Sequence, residues 1–251
     1  MTLIQPRADD CQIVGVDGLR VRMRVQGEGK PLLLLNGLTR PLESWEPFTA
    51  ALGGRRIVTF DSPGVGESPT PILPLSISRL ARIAASVLDQ AGMDAADVLG
   101  FSHGGAVAQQ LVFQAPARAR RLVLVSTSCG IGATPGSKEA LRGFRAPTGG
   151  RSWPAPDAVG ALWHSLAISS WSSIPFLGAI RTPTLVVCGA HDRVVPPANS
   201  RLLARRIAGA DLMMLPAGHD LQRTGPASAL AGAVEPFLAA GRLVESQPIA
   251  R

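Results

Sequence analysis

Apolar and polar positions alternate at the start of the chain, where Gln12 to Val16 and Leu19 to Val25 flank Asp17-Gly18. A two-residue turn of this type between alternating segments predicts an antiparallel hairpin. The pattern then changes to unbroken apolar runs: Pro31 to Leu35, Arg56 to Phe60, Val98 to Phe101, Arg121 to Ser126 and Thr184 to Cys188. Such runs suit strands covered on both faces. Asp211 to Leu215 predicts a further strand. Between the strands lie segments with a helical period. Ser76 to Gln90 puts Ile77, Leu80, Ile83, Ala84, Val87 and Leu88 on one face and stops at Gly92. Shorter helices are expected over Trp45 to Leu52, from Ala106 to Ala115, over Asn199 to Ile207 and over Ala227 to Leu238. Strand and helix in alternation, with short links, predict an α/β protein: a mostly parallel sheet of eight strands flanked by helices.

The rhythm breaks after the sixth strand. Gly, Pro, Ser and Trp accumulate from Gly130 to Gly178, with a short helix expected around Asp157 to Ile168. A loop this long in a compact domain is usually functional. The chain therefore divides into a core of residues 1–130 and 179–251 and a short lid or cap insertion over 131–178. Trp153, Trp163 and Trp171 fall in the insertion, either as an apolar cover over a pocket or as ordinary packing anchors. The tail from Glu245 is expected to fray.

Composition narrows the class. Of 251 residues, 46% are apolar and 17% charged, which fits a globular domain with a large core. The net charge of +7 comes almost wholly from scattered Arg, in short doublets such as Arg55-Arg56 and Arg205-Arg206. Without a clustered stripe or interleaved aromatics, a nucleic-acid partner is not expected. Cys11, Cys129 and Cys188 are odd in number and widely spaced, so a reducing compartment is expected and no metal site. Residues 1–10 hold no apolar stretch of the kind a secretory leader needs, and no run is long enough to span a membrane. A cytoplasmic location is the expectation.

The candidate chemistry centres on Gly100-Phe101-Ser102-His103-Gly104, between an apolar strand and a helix. G-x-S-x-G in that setting is the nucleophile-elbow pattern, a turn so sharp that side chains at Gly100 and Gly104 would collide with backbone. Ser102 needs a base to attack at neutral pH. His219 is the candidate, placed just after the last strand; His103, His164 and His191 are less suited. Asp192, after the preceding strand, would orient that imidazole and stabilise its cation. Asp220 is too close along the chain to face its neighbour's ring, and Asp61 is expected to fix its own Pro-Gly loop. Two backbone N–H groups are needed for a developing oxyanion. Those of His103 and Leu38 are placed for it, with Gly37 letting the loop bend. A serine rather than a carboxylate at the elbow favours acyl transfer. Neither cofactor nor metal is implied.

These residues resemble the α/β-hydrolase superfamily over nearly the whole chain, and within it the intracellular poly(3-hydroxyalkanoate) depolymerases of bacteria. The resemblance is carried by Leu34-Leu35-Asn36-Gly37, with Asn where most of the superfamily has His, and by Phe60-Asp61-Ser62-Pro63-Gly64-Val65-Gly66. It continues through the elbow into Gly104-Gly105-Ala106-Val107-Ala108-Gln109-Gln110, then Trp171-Ser172-Ser173-Ile174, Pro183 to Val186, Asn199 to Ile207 and Gly218-His219. It implies an α/β-hydrolase fold, a triad of Ser102, Asp192 and His219, and an ester substrate. The chain departs from the depolymerases at His103, where they carry Trp, and in an insertion that looks shortened. The expected activity is hydrolysis of medium-chain or hydroxyacyl esters, extending to polyester, through an acyl-enzyme. The substrate pocket is expected to draw on Asn36, Gly37, Arg40, Trp163 and Trp171; for Arg40 the alternatives are a substrate carboxylate or solvent. Other activities of this scaffold remain open: lactonase, thioesterase, C–C hydrolase, perhydrolase, cyclase, or a receptor that keeps the triad.

Overall fold

The computed structural model describes residues 11–138 and 157–240. Eight strands form one sheet: β1 (Gln12–Val16), β2 (Leu19–Gln26), β3 (Lys30–Leu35), β4 (Arg55–Phe60), β5 (Ala96–Phe101), β6 (Ala119–Val125), β7 (Thr184–Gly189) and β8 (Asp211–Leu215). Their order is β1-β2-β4-β3-β5-β6-β7-β8. β1 and β2 form the antiparallel hairpin, turning at Asp17-Gly18, and β2 also runs antiparallel to β4. All other neighbours are parallel. The helices are α1 (Glu46–Ala51), α2 (Ile77–Gln90), α3 (His103–Gln114), α4 (Ala158–Ser169), α5 (Pro197–Arg206) and α6 (Pro226–Ala240).

Side chains alternate across a strand, so each central strand feeds two layers. Leu33, Leu35, Val98, Leu122, Leu124 and Val186 face a layer built with α2, α3 and α5. Leu32, Leu34, Leu99, Val123, Leu185 and Val187 face the other, where α1 supplies Phe48 and α6 supplies Leu230, Val234 and Phe237. Each fully buried Leu or Phe contributes roughly 1.5–3 kcal/mol. Small shifts from the expected ends have local causes. A 3-10 turn over Leu42–Trp45 precedes α1, and Pro47 sits at its start. Pro197 opens α5 two residues before the apolar period begins, at a position where a missing N–H costs nothing.

At the amino ends of the central strands lies a buried ion cluster. Asp97 takes Arg55 at 2.7 Å and Arg121 at 3.2 Å, and Arg55 also meets Glu235 of α6 at 3.6 Å. Arg55 and Asp97, both buried, neutralise one another, as charges at that depth must. The loops that leave the carboxyl ends of β3, β5, β7 and β8 carry Leu38, Ser102, Asp192 and His219.

The connection from β6 to β7 carries α4, close to the helix expected there. Asp157 caps its start by accepting from the N–H of Val159 and Gly160. Gly160 lies against Gly64 in the loop after β4, so tightly that a Cβ there would strike the Gly64 carbonyl. Trp153, most of the insertion's first half and the tail from Glu245 lie outside the described residues.

Candidate active site

β5 ends at Phe101 and α3 begins at His103, leaving Ser102 alone to make the turn. Its φ of 51° and ψ of −115° lie in a region L-residues rarely adopt. Cβ atoms at Gly100 and Gly104 would collide with the backbone of Gly104 and of Leu35 respectively, so both must be glycine. The strained turn is tied down by neighbours. Ser102 N donates to Val125 O at 2.8 Å, and Thr127 Oγ1 donates to Ser102 O at 2.6 Å.

The side chain of Ser102 faces His219, whose Nε2 is 3.2 Å from Oγ. His219 follows β8, is buried, and lies over the Phe101 ring with centroids 5.1 Å apart. Its Nδ1 meets Asp192 Oδ2 at 2.8 Å. A carboxylate only accepts, so Nδ1 carries the proton and Nε2 is free to accept from the serine hydroxyl. Asp192 follows β7 and is held by its other oxygen, which accepts from the N–H groups of Val194 at 2.9 Å and Val195 at 2.8 Å.

The rivals are engaged elsewhere. Asp220 accepts from the partly exposed Arg40 at 2.9 Å, an ion pair within the protein. Asp61, fully buried, accepts from the N–H of Leu42 and of Glu67 and from Arg22, and so fixes the loop after β4 as expected. Burial pushes its carboxyl above the usual range, against those hydrogen bonds. His191 is exposed. Leu38 follows β3 and Asn36-Gly37; no acceptor among the described residues takes its N–H or that of His103. The buried Asn36 amide reaches Phe60 O at 3.5 Å, and Gly37 lies against the Phe101 ring.

The two tryptophans part company. Trp163 donates to Pro71 O at 3.1 Å and walls a small apolar cavity with Pro63, Pro71, Leu75, Leu80 and His164. Trp171 instead anchors the core: it is buried, donates to Gln110 Oε1 at 2.7 Å and sets its edge against Phe176. A run of small polar residues gave no sign that its indole N–H had a buried acceptor waiting on α3.

One pairing had no sequence signal at all. His103 is buried beside His164 of α4, ring centroids 4.9 Å apart and planes at 84°. His164 Nε2 lies 3.0 Å from Pro63 O, so it carries a proton and donates. Burial holds both imidazoles below their usual proton affinity, and His164 adds to the effect on His103. Both are neutral at pH 7. Among the described residues no three His, Cys, Asp or Glu side chains gather as a metal site would need, and no helix is long and apolar enough to cross a membrane.

Residues 30–159 and 154–226 match the family described as alpha/beta hydrolase fold. A poly(3-hydroxyalkanoate) depolymerase of Ectopseudomonas oleovorans is 34% identical over 240 residues, covering 82% of this chain and 84% of the relative. Among solved structures, a hydrolase from Pseudomonas aeruginosa superposes with a TM-score of 0.82 at 30% identity, over 93% of this chain and 100% of that one. An enol-lactonase from Burkholderia xenovorans gives a TM-score of 0.79 at 27% identity, over 91% and 100%.

Proposed function

The chain belongs to the α/β-hydrolase family, and from that premise we propose that it is a serine esterase working through an acyl-enzyme. The hydrogen-bond chain from Ser102 Oγ through His219 to Asp192 carries this reading. As Ser102 Oγ attacks the ester carbonyl, its proton passes to His219 Nε2. The carbonyl oxygen becomes an oxyanion, received by the N–H groups of Leu38 and His103. Each such donor is worth about 10²–10³ in rate. Collapse of the intermediate expels the alcohol, which takes the proton from His219. Water then gives a proton to the same nitrogen as it attacks the acyl-enzyme, and the acid leaves while Ser102 regains its hydrogen. Asp192 stays ionised and holds the ring.

The alcohol nucleophile suits esters of carboxylic acids. The depolymerase relative favours a medium-chain or hydroxyacyl acid part, with α4 serving as part of a cap. The test is hydrolysis of p-nitrophenyl butyrate together with labelling by a fluorophosphonate. Ser102→Ala should abolish labelling and lower kcat by about 10⁶-fold. A wild-type protein that neither reacts with the probe nor cleaves any acyl ester would overturn the reading.

A further inference from the structure

We propose that the His103 side chain selects the acyl group, offering its Nε2 to a neutral hydrogen-bonding group, such as a hydroxyl, borne a few bonds from the scissile carbonyl. The inference rests on the esterase reading above. His103 is 7% exposed, and its buried Nε2 has no hydrogen-bond partner. A nitrogen left unpaired in the interior is costly, and a phenyl or leucine side chain would fill the same space without that cost.

The position of the ring says what would complete the bond. It belongs to the residue after the nucleophile, at the first position of α3, and it touches His164 of α4. His164 is in turn held by Pro63 O, in the loop that leaves β4. The imidazole therefore lies between the elbow and α4, at the carboxyl ends of the strands. Its own amide is the proposed oxyanion donor, so a substrate whose carbonyl oxygen sits there has its acyl chain within one side-chain length of the ring.

Chemistry restricts the partner. A neutral imidazole has one donor and one acceptor nitrogen, so it pairs with a hydroxyl in either direction. A carboxylate would call for the imidazolium, which burial beside a second histidine disfavours. An alkyl chain would leave Nε2 unpaired. The ranking is hydroxyacyl above plain acyl, with an acid-bearing chain gaining nothing.

The experiment compares kcat/KM for p-nitrophenyl butyrate, p-nitrophenyl 3-hydroxybutyrate and the p-nitrophenyl half-ester of succinate. Wild type should favour the hydroxy ester over the plain one by about tenfold or more. His103→Phe should bring that ratio near one, and His103→Gln, which keeps a hydrogen-bonding group, should restore part of it. Taking the ratio within each protein removes any general loss of rate. If His103→Phe does not fold, His103→Leu carries the same comparison. Ester cleavage by wild type without a hydroxyl preference, or a preference that survives removal of the imidazole, would overturn the role of His103 alone. Failure to cleave any ester or to react with the fluorophosphonate would overturn the esterase reading with it.

Discussion

Asp192 divides its two carboxylate oxygens between the loop that carries it and the imidazole it faces. Oδ1 takes the amides of Val194 and Val195, while Oδ2 takes His219 Nδ1. Asp192→Asn separates these duties. An amide oxygen can still accept from the loop, so the fold should hold. Its NH₂, however, turned toward Nδ1, asks for a lone pair there and drives the ring proton to Nε2, where Ser102 needs an acceptor. The expected result is a fall in kcat of up to about 10⁴-fold with KM little changed, read from steady-state kinetics on p-nitrophenyl butyrate. Ser102, Asp192 and His219 were legible in the sequence because each follows a strand marked by its own apolar run. The partners of Arg40 and Trp171 were not. Arg40 finds Asp220 across 180 positions, and Trp171 finds Gln110 across 61. Apolar periodicity carries no information about which distant polar atom a side chain will meet.

At the scale of elements, α4 is held by a mixture that only tertiary structure supplies. Gly160 presses on Gly64, Trp163 reaches Pro71 O, Asp157 meets Thr70, and His164 bridges Pro63 O to the His103 ring. The helix itself was legible as an island of regular pattern in a Gly- and Pro-rich stretch, but its docking surface was not. Two buried neutral histidines give this seat a pH dependence whose sign is fixed. Their folded proton affinity is lowered, so the unfolded chain binds more protons once pH falls below about 6.5. Stability is complete above that value and is lost progressively as pH falls through it. Thermal unfolding from pH 7.5 to pH 5 should show a falling midpoint. A His103→Phe, His164→Phe double variant should show a shallower fall, since carboxylates titrating lower act equally on both proteins.

Seen whole, the sheet has two ends with different tasks. The amino ends bury the Asp97–Arg55–Arg121 cluster, and the carboxyl ends collect Leu38, Ser102, Asp192 and His219. Parallel strands make this segregation automatic, because every strand delivers its exit loop to the same edge. The alternation of strand and helix foretold that edge; the seating of α4 depends on contacts made across distant parts of the chain. The strained turn at Ser102 has a last consequence. Backbone in that region costs on the order of 1–3 kcal/mol for a residue with a side chain, and little for glycine. Ser102→Gly should therefore give a protein that melts higher by calorimetry, by about 2–4 °C for each kcal/mol of strain relieved, and turns nothing over. Directed evolution of this chain for heat resistance, with no activity screen, has an easy first step available to it, and that step leads to a sturdier protein with no enzyme left in it.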